Sequence, residues 1–111
     1  MASSNGYVST NDFLTGILGE EKDLEIDGVG KVRIRGLDSL EVQRMNQETE
    51  GDEIQLSFEA ILRGLVHPEL SRDDLEALSH GKPGIITFLA HEIIVISGLD
   101  EDFEKKVGIG S

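Results

Sequence analysis

Residues 32–37 read VRIRGL, residues 91–99 read HEIIVISGL, and between them the spacing of apolar side chains changes from a period of two to a helical one. That change decides the fold. In VRIRGL, Val32 and Ile34 alternate with Arg33 and Arg35, the pattern of a strand with one buried face. Upstream, Leu24 and Ile26 alternate with Glu25 and Asp27 in the same way. Asp27-Gly28-Val29-Gly30 separates the two runs, and its glycines supply the positive φ angles of a tight reversal. The pattern predicts a β-hairpin over 23–36 with Glu25, Arg33 and Arg35 on its solvent face. An isolated hairpin is marginal in water. Its apolar face is therefore expected either on helices or extending a sheet in a neighbouring copy, which would make the chain a homo-oligomer.

Beyond Leu37 the helical period takes over. Asp38-Ser39-Leu40-Glu41 has the spacing of a capping box, and a peripheral helix is expected from there to about Glu50, with a thin stripe of Leu40, Val42 and Met45. Gly51-Asp52 opens a second helix, whose Ile54, Phe58, Ile61, Leu62 and Leu65 form a wide apolar face and place it in the core. It should finish near Val66 or His67, because Pro68 disfavours the α conformation in the residue before it. Ser71 is placed to cap a short third helix through Leu78, with acids in its first turn. Pro83 suits the first turn of a fourth helix, the most apolar segment of the chain. Its β-branched run IIVIS also fits a strand, but continuity from Pro83 through Ala90 favours helix. Gly98 is the expected C-cap, with Leu99 folding back. The fold class expected is mainly α with a small N-terminal β-hairpin (α+β), a compact bundle of about four short helices.

This organisation puts a single globular domain at 23–99, between a mobile N-terminal arm at 1–22 and a loosely held tail at 100–111. Within the arm, Phe13, Leu14, Ile17 and Leu18 recur at helical spacing after Asn11 and Asp12. They predict a turn or two of helix that either docks on the body or binds a partner. The tail is polar except for Phe103, Val107 and Ile109.

Composition narrows the function. A chain of 111 residues has room for one core, and with no Trp, one Tyr and four Phe that core is mainly aliphatic. The absence of cysteine excludes disulfides, thiolate zinc sites and cysteine nucleophiles. There is no apolar run of about 18 residues, and MASSNGYVSTND has neither the basic nor the apolar region of a secretory leader. A soluble, non-secreted protein with no membrane partner is expected. Twenty-two acidic residues against ten basic give a charge of −12, which repels phosphate backbones and argues against nucleic acid as a partner. The same charge either keeps the chain soluble or selects a basic partner.

No chemistry-bearing motif emerges. His67, His80 and His91 lack metal-ligand spacing, and His91-Glu92 begins no HExxH. Gly28-Val29-Gly30 lacks the third glycine and following helix of a dinucleotide fingerprint. The carboxylate runs Glu20-Glu21 and Asp100-Glu101-Asp102 read as solvated. Neither a cofactor, a metal nor an enzymatic activity is expected.

The β element ending in VRIRGL, the helix beginning LDSLEVQRM, the core run ILRGLVHPELS, the short DDLEAL helix and the closing ISGL together resemble the tail assembly chaperones of long-tailed bacteriophages and prophages. The resemblance spans about Glu25 to Leu99. It rests most on Arg33 to Leu37, on Pro68-Glu69 followed by DDLEAL, and on Ile96-Ser97-Gly98-Leu99. The long polar arm before Leu24 and the short continuation after the last helix depart from the pattern. The resemblance implies a non-catalytic protein that binds the phage tape measure protein, keeps it soluble and promotes assembly of tail-tube protein around it. Such a protein acts in the cytoplasm of the bacterial host and is absent from the mature virion. Many members also have a longer frameshifted form, for which codons at Lys105-Lys106 would suit a slippery run. Two other readings are an acidic regulatory protein or inhibitor of a basic partner, and a minor structural subunit of the head–tail connector. For a partner groove, Phe58, Leu62, Phe88 and Ile93 are the first candidates, with the hairpin arginines Arg33 and Arg35. The same four apolar side chains are alternatively core.

Overall fold

A computed structural model describes residues 6–99. The tail read at 100–111, with Lys105-Lys106, lies outside the described residues. Helix α1 (Thr10–Gly16) is followed by strands β1 (Glu21–Ile26) and β2 (Gly30–Arg35), then helices α2 (Ser39–Thr49) and α3 (Glu53–Gly64). A third strand, β3 (Leu65–His67), leaves α3 directly; a 3-10 turn (Arg72–Asp74) then leads into α4 (Leu75–Leu78), and α5 (Pro83–Ile96) closes the order.

The expected fold class, a mainly α bundle of about four helices beside a two-stranded hairpin, is corrected by this structure. Among the described residues there are five α-helices and a three-stranded antiparallel sheet of order β1-β2-β3, an α+β mixture. The added strand is Leu65–His67, which was read as the end of the second helix. Leu65 pairs with Ile34 and His67 with Arg33, across a register shift. Leaving the helix at Gly64 lets this run satisfy its backbone groups against the free edge of β2.

Charge patterning along the hairpin matches its register. Glu21, Asp23 and Glu25 of β1 stand opposite Arg35, Arg33 and Lys31 of β2, so each acid faces a base across the outer surface. Gly28 and Gly30 turn the chain at φ +82° and +119°. On the inner face Leu24, Ile26, Val32 and Ile34 are buried against the helical layer, where Ile61 of α3 and Ile93 of α5 are fully enclosed.

Two close approaches set the helical layer. A Cβ on Gly64 would lie 2.6 Å from Cγ2 of Ile93, so α3 and α5 meet at a glycine. A Cβ on Gly36 would lie 3.0 Å from the Ile96 carbonyl oxygen. Beside it the Ser97 hydroxyl accepts the Leu37 N–H at 2.7 Å and donates to the Ile93 carbonyl at 2.6 Å. Beyond Ser97, Gly98 takes φ +85° and the Leu99 N–H reaches back to the Ile94 carbonyl at 3.2 Å, the bond that closes a Schellman motif. RGL and ISGL, distant in sequence, thus form one joint.

Candidate functional site

Arg33 and Arg35 are both engaged within the fold. Arg33 sits on the outer sheet face, with Nε 3.0 Å from Asp23 and a terminal nitrogen 3.2 Å from Glu21. All three side chains are substantially solvated, so these pairs add little to stability. Arg35 makes a two-pronged contact with Glu41, at 2.9 and 2.6 Å, and a further bond to the Gly36 carbonyl at 3.1 Å. Glu41 is at once the carboxylate of the Asp38 capping box, accepting the Asp38 N–H at 3.1 Å. Arg35 holds Glu41 below the usual carboxylate range, chiefly by hydrogen bonding, and Glu41 raises Arg35 in turn. This arginine fastens the end of β2 to the start of α2.

The four apolar candidates do not share one surface. Phe58 is half-buried and lines a groove; Leu62, also half-buried, follows one turn later on α3 outside its lining. Phe88 is 43% exposed on α5, whereas Ile93 is enclosed in the core. Five residues separate those two, about 140° around a helix of 3.6 residues per turn. Gly84, Phe88, His91 and Val95 form the solvent stripe of α5, while Leu89, Ala90, Ile93 and Ile94 form its buried side.

The groove beside Phe58 encloses about 250 Å³. One wall is the first half of α3, with Ile54, Ser57 and Phe58; the other is the α4–α5 connection and first turns of α5, with Gly81, Pro83, Ile86 and Thr87. Ile54 stands at its lip, 67% exposed. Sequence periodicity places Ile54 in the core beside Ile61; Ile61 is buried there, but Ile54 is not, and Leu56, Ala60 and Gly64 complete the buried apolar face. A second groove of about 290 Å³ runs between the start of α2 and the α5 terminus, lined by Leu37, Val42, Asn46 and Leu99 among others. Its walls include the joint just described.

A buried carboxylate steadies the first groove. Glu59, next to Phe58, is 7% exposed. Both its oxygens accept from Arg72, at 2.9 and 3.0 Å, and Arg63 donates to it from one turn later on α3. Arg63 also reaches Glu48 of α2 at 3.0 Å. Hydrogen bonding from Arg72, against the opposing effect of burial, keeps Glu59 below the usual carboxylate range. The cluster ties α3 to the turn that begins α4, and thereby fixes the spacing of the groove walls. Sequence reading missed this role. The available signal was a lone acid on the apolar side of a helix, with Arg63 at i+4.

The histidines are scattered. His67 lies exposed on β3, His91 on the solvent stripe of α5, and His80 contacts Glu76 at 2.9 Å on the surface of α4. Among the described residues no group of three histidines or carboxylates is arranged to hold a metal ion. No helix among them is long and apolar enough to cross a membrane. The amphipathic segment of the arm forms α1, capped by Ser9 rather than by Asn11 or Asp12: the Ser9 hydroxyl accepts the Asp12 N–H at 3.1 Å. It buries none of its residues.

In comparisons with known proteins, the chain matches no family model, no curated protein and no solved structure.

Proposed function

We propose that this protein is a non-catalytic tail assembly chaperone of a long-tailed phage or prophage. It binds helical segments of the tape measure protein, keeps that protein soluble and promotes assembly of the tail tube around it. It works in the cytoplasm of the bacterial host and leaves before the virion is complete.

The observation that carries the reading is the groove between Phe58 and Ile86, with Ile54 exposed at its lip. At about 250 Å³ it falls below the roughly 300–1,000 Å³ of small-molecule sites and suits about one or two apolar side chains of a docked helix. Asp52 and Glu53 next to Ile54, and Glu76 near Ser79, are exposed acids at its edge, with Lys82 an exposed base between Gly81 and Pro83. An amphipathic helix with basic flanks is the complementary ligand, and the net charge of −12 opposes aggregation of the complex. The resemblance at RGL and ISGL supports the same reading from the sequence. Because those motifs build a joint of the fold, binding is assigned to the groove instead. The acidic-inhibitor alternative gains nothing from the hairpin, where each acid on β1 faces a base on β2.

Co-expression with the tape measure protein encoded nearby tests this. Expected are a soluble, co-purifying complex, an insoluble tape measure protein when it is expressed alone, and finished particles lacking this chain. Failure to co-purify, or retention in mature virions, overturns the reading.

A further inference from the structure

The groove of about 290 Å³ between α2 and the end of α5 takes no part in this reading, and the described chain stops at its wall. Leu99, the last described residue, lines it together with Leu37, Val42 and Asn46. Val42 and Leu99 both pack on the core, yet each is only half-buried. The lining carries a single charge, Asp38, whose carboxylate accepts the Glu41 N–H at 2.8 Å. Its other polar members are neutral serines and amides.

Residues 100–111 continue from that wall as DEDFEKKVGIGS. Phe103 stands four residues beyond Leu99, within about 14 Å at full extension and about 6 Å at the helical rise. Lys105 and Lys106 follow it closely. We infer that this segment is a strap over the joint: Phe103 seats in the groove between Val42 and Leu99, with the two lysines beside Asp38 at the rim and Asp100, Glu101 and Asp102 in solvent.

Three considerations favour this occupant. The opening lies just below the roughly 300–1,000 Å³ of small-molecule sites and suits one aromatic side chain. Seating that ring takes apolar surface of Val42, Leu99 and Phe103 out of water together. Tethering to the groove wall also makes closure intramolecular, at an effective concentration of about a millimolar. The lysine contacts are solvated and add little, so Phe103 carries the closure. The N-terminal arm, by contrast, leaves this groove open. It passes close by, since a Cβ on Gly19 would lie 3.2 Å from the Gly36 carbonyl oxygen, yet Phe13, Leu14, Ile17 and Leu18 remain between 53% and 71% exposed. Closed, the strap ties α2 to the end of α5 beside the bond from the Leu37 N–H to Ser97, and it withholds the groove from other ligands. The inference concerns a different groove from the proposed function, and its test needs no tape measure protein, so either can fail alone.

Nuclear Overhauser contacts in the full-length labelled chain read the strap directly. Contacts from the Phe103 ring to the methyls of Val42 and Leu99 are expected, and they should be absent from a mixed labelled and unlabelled sample filtered for contacts between molecules. Phe103→Ser, verified as folded by circular dichroism, should move the Val42 and Leu99 methyl signals and leave Ile54 and Ile86 unmoved. It should also speed exchange of the Leu37 amide about tenfold, the scale of losing one buried apolar contact. Absence of the Phe103 contacts, or a folded Phe103→Ser chain with unchanged methyl signals, overturns the inference. So do contacts to Val42 from Ile17 or Leu18, which would give the groove to the arm, and contacts seen only between molecules, which would give it to a second copy.

Discussion

At its C-terminal end α5 is pinned to the rest of the chain by close packing and hydrogen bonds, beside a groove of about 290 Å³; at its N-terminal end it borders the groove of about 250 Å³. Ile93 fills the space above Gly64, Ser97 ties the Leu37 N–H to the Ile93 carbonyl, and Leu99 folds back beyond Gly98. Three turns earlier, Pro83, Ile86 and Thr87 face a groove whose opposite wall is Phe58 and Ile54. Glycines lie near both ends: Gly64 and Gly36 admit α5 at close range, and Gly81 leaves room for the Leu78 carbonyl and Ile86 beside the groove. The pinned, closed end therefore stores stability, and the other, open end leaves an apolar groove facing solvent.

This contrast yields separable consequences. The largest is at the closed end: Ile93→Ala should cost about 2–5 kcal/mol in urea denaturation, because its site is fully enclosed. A loss below about 1 kcal/mol would mean that α3 and α5 are not held there. Gly64→Ala comes next, at about 1–3 kcal/mol, since the new methyl meets a side chain with no room to move. Thermal melts that show no decrease would show that the close approach is absent. Ser97→Ala removes the acceptor for Leu37 and should cost about 1 kcal/mol, with faster exchange of the Leu37 amide as a local readout.

Acid sharpens the comparison differently. Glu59 and Glu41 both have folded-state values lowered from 4.5. The unfolded chain therefore takes up their protons first, and their contribution is present above that value and is lost as pH falls through the lowered ones. Stability should decline on acidification in that range, and Glu59→Gln should flatten the decline. An unchanged slope would remove Glu59 from the clamp that spaces the groove. The smallest effect on stability belongs to the open end. Thr87→Glu should change it by no more than about 0.5 kcal/mol while abolishing partner capture; a variant that binds normally would move the site elsewhere.

Much of the scaffold was legible because its signals are local. Alternation of apolar with charged residues marked the two hairpin strands, Asp38 and Glu41 the start of α2, and Pro83 and Gly98 the limits of α5. The third strand was not, since Leu65-Val66-His67 has no alternation of its own and becomes a strand only through the edge of β2. The buried face of α3 was legible only in part: Ile61 is enclosed as its spacing predicts, but Ile54 is not, and Gly64, by being small, is where Ile93 of α5 comes close. Ile54 turns outward instead and forms the groove lip. Phe88 and Ile93 were grouped by proximity in sequence although the helix separates them. Phe58 alone among the expected site residues lines the groove beside α3.

The most direct measurement is an amide and methyl shift map of the labelled protein, titrated with a peptide from an amphipathic helical segment of the tape measure protein. Saturable shifts clustered on Ile54, Phe58, Ile86 and Thr87, with the RGL–ISGL joint unmoved, are the expected result. Shifts centred on Arg33 and the outer sheet face, or none at saturating peptide, would contradict the assignment of binding to the open end of α5.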